Sequence, residues 1–240
     1  MIVFRACDVE STGIPTETDR HALVEGAWCD VHRASDGDCT VMDPASMLCN
    51  PGRLIPVEAQ AVHHIRDADV AGAPSPDLLC KAMGEGGDYF VAHNCSFEQQ
   101  FFGGGGRPWL CTWKSALRVW PDAPSHSLSA LRYWLKLDDD PLFERDLAMP
   151  PHRAGPDAYV CAFLFVELLK HATVEQMVKW TSGPALLAKC GFGKHFGLKW
   201  SEVPKDYLSW IVSKSDITDR NVRATAKFYL MSLENTTPNS

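Results

Sequence analysis

The chain opens on Ile2-Val3-Phe4-Arg5-Ala6-Cys7, a mainly apolar run closed by Asp8, which predicts a short buried strand. Residues 22–31 predict a second strand and 39–48 a weaker third, followed by a loop carrying Pro51, Gly52 and Pro56. Segments 57–63 and 76–83 predict short helices, and Gly84, Gly86 and Gly87 then break the chain before a fourth strand at 89–92. A helix at 96–102 ends in the four glycines 103–106. A fifth strand at 109–111 feeds a helix at 113–120, and apolar residues at 128, 131 and 135 give 127–135 a helical stripe. The strongest helical pattern is 156–171, with Pro156 suited to its first position. Thr173 and Gln176 then have the spacing of a capping box. Strands come first and then alternate with helices, which predicts an α/β fold: a mixed five-stranded sheet flanked by helices.

The make-up of 45% hydrophobic and 22% charged residues over 240 positions is that of a globular protein. No apolar run approaches the ~18 residues of a membrane span. Arg5, Asp8 and Glu10 arrive too early for a signal peptide. Nine cysteines without a Cys-x-x-Cys pair argue against a zinc site or a disulfide framework, and for a reducing, cytoplasmic setting. The formal charge of -7 argues at first against a nucleic-acid partner. Its distribution changes that picture. Residues 1–178 carry 14 basic and 25 acidic side chains, whereas 179–230 carry 9 basic and 4 acidic. The chain is therefore expected to divide into an acidic body, 1–178, and a small, basic, mainly helical segment, 179–240, near Thr181-Ser182-Gly183-Pro184.

Candidate chemistry sits at strand ends. Asp8 and Glu10, two apart in an extended chain, point the same way and make an oxygen-rich site that suits Mg²⁺ or Mn²⁺. Ser11-Thr12-Gly13 follows with small side chains and accessible N–H groups. His93-Asn94-Cys95-Ser96-Phe97-Glu98 lies at a strand-to-helix junction, where α/β sheets bind ligands. His152 precedes Asp157 at the start of the long helix, and an imidazole there suits proton transfer near neutrality. Each has an ordinary reading as well: a solvated strand end, a helix cap at Asn94, a surface histidine. Gly103–Gly106 lacks the Gly-Lys-Ser/Thr of a phosphate loop, and Asp138-Asp139-Asp140 is expected to be a solvated charge run. Trp200 and Trp210, beside lysines, are candidates for stacking on unpaired bases.

The order Asp-x-Glu, His-Asn-x-x-Phe-acid, His-x-Ala-x-x-Asp resembles the three motifs of the DEDDh family of 3′-to-5′ exonucleases, which have an RNase H-like fold. Ala61-Val62-His63-His64-Ile65, Cys111-Thr112-Trp113-Lys114 and Ser127-Leu128-Ser129-Ala130-Leu131 extend the likeness. Phe192-Gly193-Lys194-His195-Phe196-Gly197 and Tyr207-Leu208-Ser209-Trp210 resemble the carboxy-terminal segment of its exodeoxyribonuclease X subgroup. The resemblance implies hydrolysis of DNA 3′ ends, single-stranded or duplex, with two Mg²⁺ or Mn²⁺ ions ~3.5–4 Å apart. It implies Asp8, Glu10 and Asp157 as ligands of one ion, Asp8 and Glu98 on the side of the other, and His152 as general base. Val9, Ser11, Thr12 and Gly13 would bind the terminal nucleotide, and His64 or Ile65 would press on a base. Glu98 stands where the family usually has Asp. A weakened DNA-binding or partner module, an exoribonuclease and a proofreading subunit on the same fold are the alternatives this substitution and the shared fold leave open.

Overall fold

The computed structural model describes residues 1–214 and 216–236, with side chains to Leu233. Strand β1 (Ile2–Ser11) pairs antiparallel with β2 (Leu23–Arg33) along its whole length. Two short strands, β3 (Cys39–Val41) and β4 (Ala45–Leu48), pair with separate stretches of β2. Helices α1 (Val57–His63), α2 (Asp67–Val70) and α3 (Pro76–Gly84) follow. Next come β5 (Tyr89–Ala92), α4 (Cys95–Phe101), β6 (Trp109–Cys111) and α5 (Thr112–Val119). Helices α6 (Leu128–Trp134), α7 (Ala154–Leu169) and α8 (Val174–Ser182) complete the body, and α9 (Lys205–Ser213) and α10 (Arg220–Thr236) form the tail.

The sheet order is β3-β2-β1-β5-β6, with β5 parallel to β1 and β6 parallel to β5. The sheet has six strands rather than the five expected, because the weak third strand is broken at 42–44. Its two halves reach β2 at different registers, Val31↔Val41 and Glu25↔Leu48.

Alternation along β1 decides where the acids go. Phe4 and Ala6 point into the main core with α7, where Phe4 meets Phe165 at 4.8 Å. Asp8 and Glu10 continue that same face beyond the apolar part. Arg5, Cys7 and Val9 take the opposite face, and Cys7 and Val9 join a second core with Leu79 and Met83 of α3. That helix approaches so closely that a Cβ on Gly26 would stand 2.8 Å from the Met83 sulfur, so β2 needs glycine there. β1 also runs past Cys7 to Ser11, which places both carboxylates within the paired strand and not beyond it.

Helix α7 is buried nearly all round, as its mainly apolar sequence requires. It starts at Ala154, so Pro156 is its third residue and not its first. A side chain from another strand explains the earlier start: Glu25 accepts the Ala154 N–H at 3.0 Å, an otherwise orphaned donor. Helix α8 carries the expected capping box between Thr173 and Gln176. It runs through the charge step at 178/179 and buries Val174 and Met177 in the main core. The chain leaves the body only at Gly183-Pro184, five residues after the charge changes. Beyond it, Cys190, Trp200, Val203, Leu208, Ile211, Val222 and Ala226 make a separate small core.

Candidate active site

Asp8 and Glu10 from β1 and Asp157 from the first turn of α7 come together at one point. Each offers a carboxylate oxygen, and these oxygens lie within 4.8 Å of one another. Three anions so close, with little water, resist ionisation. Burial first, then Asp157, Glu10 and Glu98, raise the Asp8 carboxyl well above its usual range. Burial and Asp157 push Glu10 up to about 8. Burial also raises Asp157, although the His152 N–H, donated to Asp157 Oδ2 at 3.0 Å, works the other way.

Glu98 comes from α4, which follows β5 at the same end of the sheet. It is 4% exposed, its Oε2 has no hydrogen-bond partner, and burial pushes its carboxyl up to about 8. A buried carboxylate oxygen without a donor is costly unless a proton or a cation meets it. Oxygen donors without nitrogen or sulfur in the cluster suit a hard divalent cation. The residues present therefore fit the metals that such a site implies.

His152 is exposed on a left-handed corner, φ +61°, between its backbone bond to Asp157 and the anchored Arg153. Arg153 donates through Nε and Nη2 to both oxygens of Glu25, at 2.9 and 2.7 Å. Glu25 is 2% exposed and sits directly across the ladder from Glu10. Sequence reading missed both members of this pair. The one signal was an acidic residue within the apolar first half of the strand.

The residues expected to hold a nucleotide divide. The Thr12 N–H donates to Ala22 O at 2.8 Å, and Thr12 Oγ1 accepts the Ala22 N–H and meets His21 Nδ1 at 3.1 Å. Ser11 Oγ donates to Gly13 O at 2.8 Å. Both side chains are buried and hold the loop in shape, while Gly13 stays partly exposed, with the His21 ring against its Cα. Val9 is buried in the second core. Ile65 departs from expectation: it is 2% exposed and packs with Val24, Ile55 and Val70, since this apolar side chain closes a small core beneath α1 and α2. His64 remains exposed, whereas His63 is buried and accepts the Ile65 N–H on Nδ1.

Three other sequence readings change. Asn94 occupies the N-cap position of α4 without capping it; its Oδ1 accepts from Ser96 Oγ. Asp138 is not a solvated charge, because Arg132 grips both of its oxygens at 2.6 and 3.1 Å. Trp200 is fully buried in the tail core and unavailable to a base, while Trp210 is 40% exposed and stacked on Tyr207.

Carboxylates from β1 and α7 meet at the carboxyl end of β1 in a mixed sheet, an arrangement that fits a divalent-metal-dependent 3′-to-5′ exonuclease of RNase H-like fold. No protein-family model matches the chain. It is 32% identical to Exodeoxyribonuclease 10 of Escherichia coli strain K12 over 238 residues, covering 95% of this chain and 99% of that one. It is 26% identical to DNA polymerase III subunit epsilon of Treponema pallidum over 190 residues, 71% of this chain and 78% of that one. The solved structure of exonuclease X in complex with 5′ overhanging duplex DNA matches at TM-score 0.60 and 30% identity, over 74% of this chain and 99% of that one. Exonuclease I of E. coli with a dT13 oligonucleotide shares the fold at TM-score 0.53 and 12% identity, over 75% of this chain and 43% of that one. The chain belongs to the exodeoxyribonuclease 10, or exonuclease X, family.

Proposed function

We propose that the protein removes nucleoside 5′-monophosphates from DNA 3′ ends, single-stranded or duplex, with two Mg²⁺ or Mn²⁺ ions at the carboxylate cluster. The observation that carries this reading is the convergence of Asp8, Glu10 and Asp157, one oxygen each, within 4.8 Å. Asp8, Glu10 and Asp157 would hold one ion, and Asp8 with Glu98 the other. When bound, such ions neutralise the cluster, polarise the phosphodiester, activate water and stabilise the departing 3′ oxygen.

The chain's own groups do the rest. His152 takes the proton of the attacking water, and its exposed position lets it return that proton to solvent. Arg153 and Asp157 hold the corner that carries His152 on either side. The loop at Ser11-Thr12-Gly13 receives the terminal sugar through backbone groups, and His64 offers an exposed imidazole to the base. Glu98 is one methylene longer than the usual Asp, and its unpartnered oxygen supports a role toward the second ion. The nine free cysteines agree with a cytoplasmic setting. No helix among the described residues is long and apolar enough to cross a membrane.

The test is release of mononucleotides from 5′-labelled oligonucleotides, single-stranded and duplex, with Mg²⁺ or Mn²⁺. Stepwise shortening from the 3′ end is expected, with loss of about 100-fold or more in Asp8→Ala. Metal-independent release, or none from the wild type, overturns the reading.

A further inference from the structure

The basic tail faces the active-site side of the body across a cleft. One part of the cleft, about 290 Å³, is lined by Ser96, Trp113 and Lys114 of the body, the connector at Ser182, and Arg220 of α10. An adjoining part, about 390 Å³, is lined by His93, Asn94, Trp113, His126 and Ser127. The half-buried Trp113 borders both. β5 runs parallel to β1 with Ala6 opposite Val91, so His93 and Asn94 leave the sheet at the same end as Asp8, and the cleft opens at the active-site end of the body.

Two ties fix the tail against this wall. Lys114 Nζ donates to Thr181 O and Gly183 O at 2.8 and 2.7 Å, which holds the connector. Lys199 Nζ meets Asp122 at 2.6 Å, and Lys199 bridges Lys189 in a short antiparallel pairing. That brings the exposed Lys189 toward the loop ending at His126. Burial, and the Lys189 charge beyond it, keep the His126 imidazole below its ordinary pKa. On the other side Arg220 is exposed, and the neighbouring Asp219 already accepts the Asn221 and Val222 N–H groups.

The cleft therefore offers a half-buried indole with the exposed Arg220 on one side, Lys189 beyond His126 on the other, and polar side chains between. An apolar segment would cover the exposed Arg220 without giving its charge a partner. A polynucleotide strand suits the cleft, stacking a base on the indole and setting phosphates against Arg220 and Lys189. We infer that this cleft takes the unpaired DNA strand upstream of the 3′ end, making the tail the cationic wall of the substrate track. The inference rests on the exodeoxyribonuclease reading.

The test uses the full chain and a Lys189→Glu/Arg220→Glu double variant, with Lys189→Arg/Arg220→Lys as the charge-conserving companion. Dinucleotide pdTpdT reaches only the carboxylate cluster, whereas 5′-labelled dT12 extends into the cleft. The charge-reversed variant should raise KM for dT12 about tenfold and leave kcat/KM for the dinucleotide unchanged. Its salt slope for dT12 binding should shrink by about 1.4, the value for two phosphates of a single strand. The companion variant should behave as wild type. Equal losses on both substrates, or an unchanged dT12 affinity and slope, overturn the track. Fluorescence anisotropy with dT12 in EDTA needs no chemistry. If the wild type releases nothing from either substrate the nuclease reading fails, and anisotropy still decides whether the cleft binds the strand.

Discussion

At the scale of single residues, the site is a set of carboxylates held where they are least comfortable. Burial pushes both Glu10 and Glu98 up to about 8, so the folded protein binds protons that the unfolded chain, near 4.5, has released. The sign follows from linkage: the stability these groups lend is complete below about 4.5 and is lost as pH rises toward about 8. Each contributes a slope of at most about 1.4 kcal/mol per pH unit. His93 acts oppositely at lower pH. Burial holds it down to about 4, so its contribution is present above 6.5 and falls away in acid. Between pH 6.5 and 8 in EDTA, urea midpoints of the wild type should therefore fall more steeply than those of a Glu10→Gln/Glu98→Gln variant. Saturating Mg²⁺ should raise the wild-type midpoint, and by more at pH 8 than at pH 6.5, because the cation competes with protons for the same oxygens. Equal slopes for the two proteins would mean that these carboxylates ionise normally.

At the scale of elements, the start of α7 is where two distant parts of the chain settle one geometry. Glu25 of β2 caps the Ala154 N–H and grips Arg153, and together they fix the corner bearing His152. Arg153→Leu would leave Glu25 buried, unpaired and opposite Glu10, at a cost of about 3–5 kcal/mol. Combining it with Glu25→Gln should recover a good part of that stability without restoring kcat, because the loop has lost its anchor. Denaturation and steady-state kinetics on the double-mutant cycle check this, and additive stability losses would show that the pair is not coupled. These element starts also mark the limit of sequence reading. Pro156 suggested a helix beginning two residues later, since nothing in 150–157 reveals that a carboxylate from residue 25 will satisfy Ala154. The capping box at Thr173, made entirely of neighbours, was legible because both partners lie within one turn.

At the scale of the molecule, the main core and the tail core draw on different stretches of the chain. The main core ends with Val174 and Met177 of α8, and the tail core draws only on residues beyond Pro184. Trp200 is the largest fully buried side chain among the described residues, so Trp200→Ala should cost the tail about 3–5 kcal/mol. Calorimetry should then resolve a lower-temperature transition for the tail, with the body's transition little moved and hydrolysis of a dinucleotide retained. A single transition shifted as a whole would show that the two cores melt together. Net charge belongs to this scale as well. The total of -7 argues against a nucleic-acid partner only while the acids are read as surface. Asp8, Glu10 and Asp157 are instead drawn into one cluster, and Glu98 is buried.

By itself the sequence determined the alternation of strands and helices and the acidic and histidine motifs in their family order. Local periodicity and short spacings carry that information. Only the tertiary structure decided that Asp8 and Glu10 share a face with Asp157, because strand parity matters once β1 is paired over its full length. The fold likewise decided that Glu98 is buried with its Oε2 unpartnered, that Glu25 and Arg153 frame His152, and that Trp200 is core while Trp113 faces a cleft. Each of these depends on contacts between residues far apart in the chain, whose burial and pairing no local pattern records.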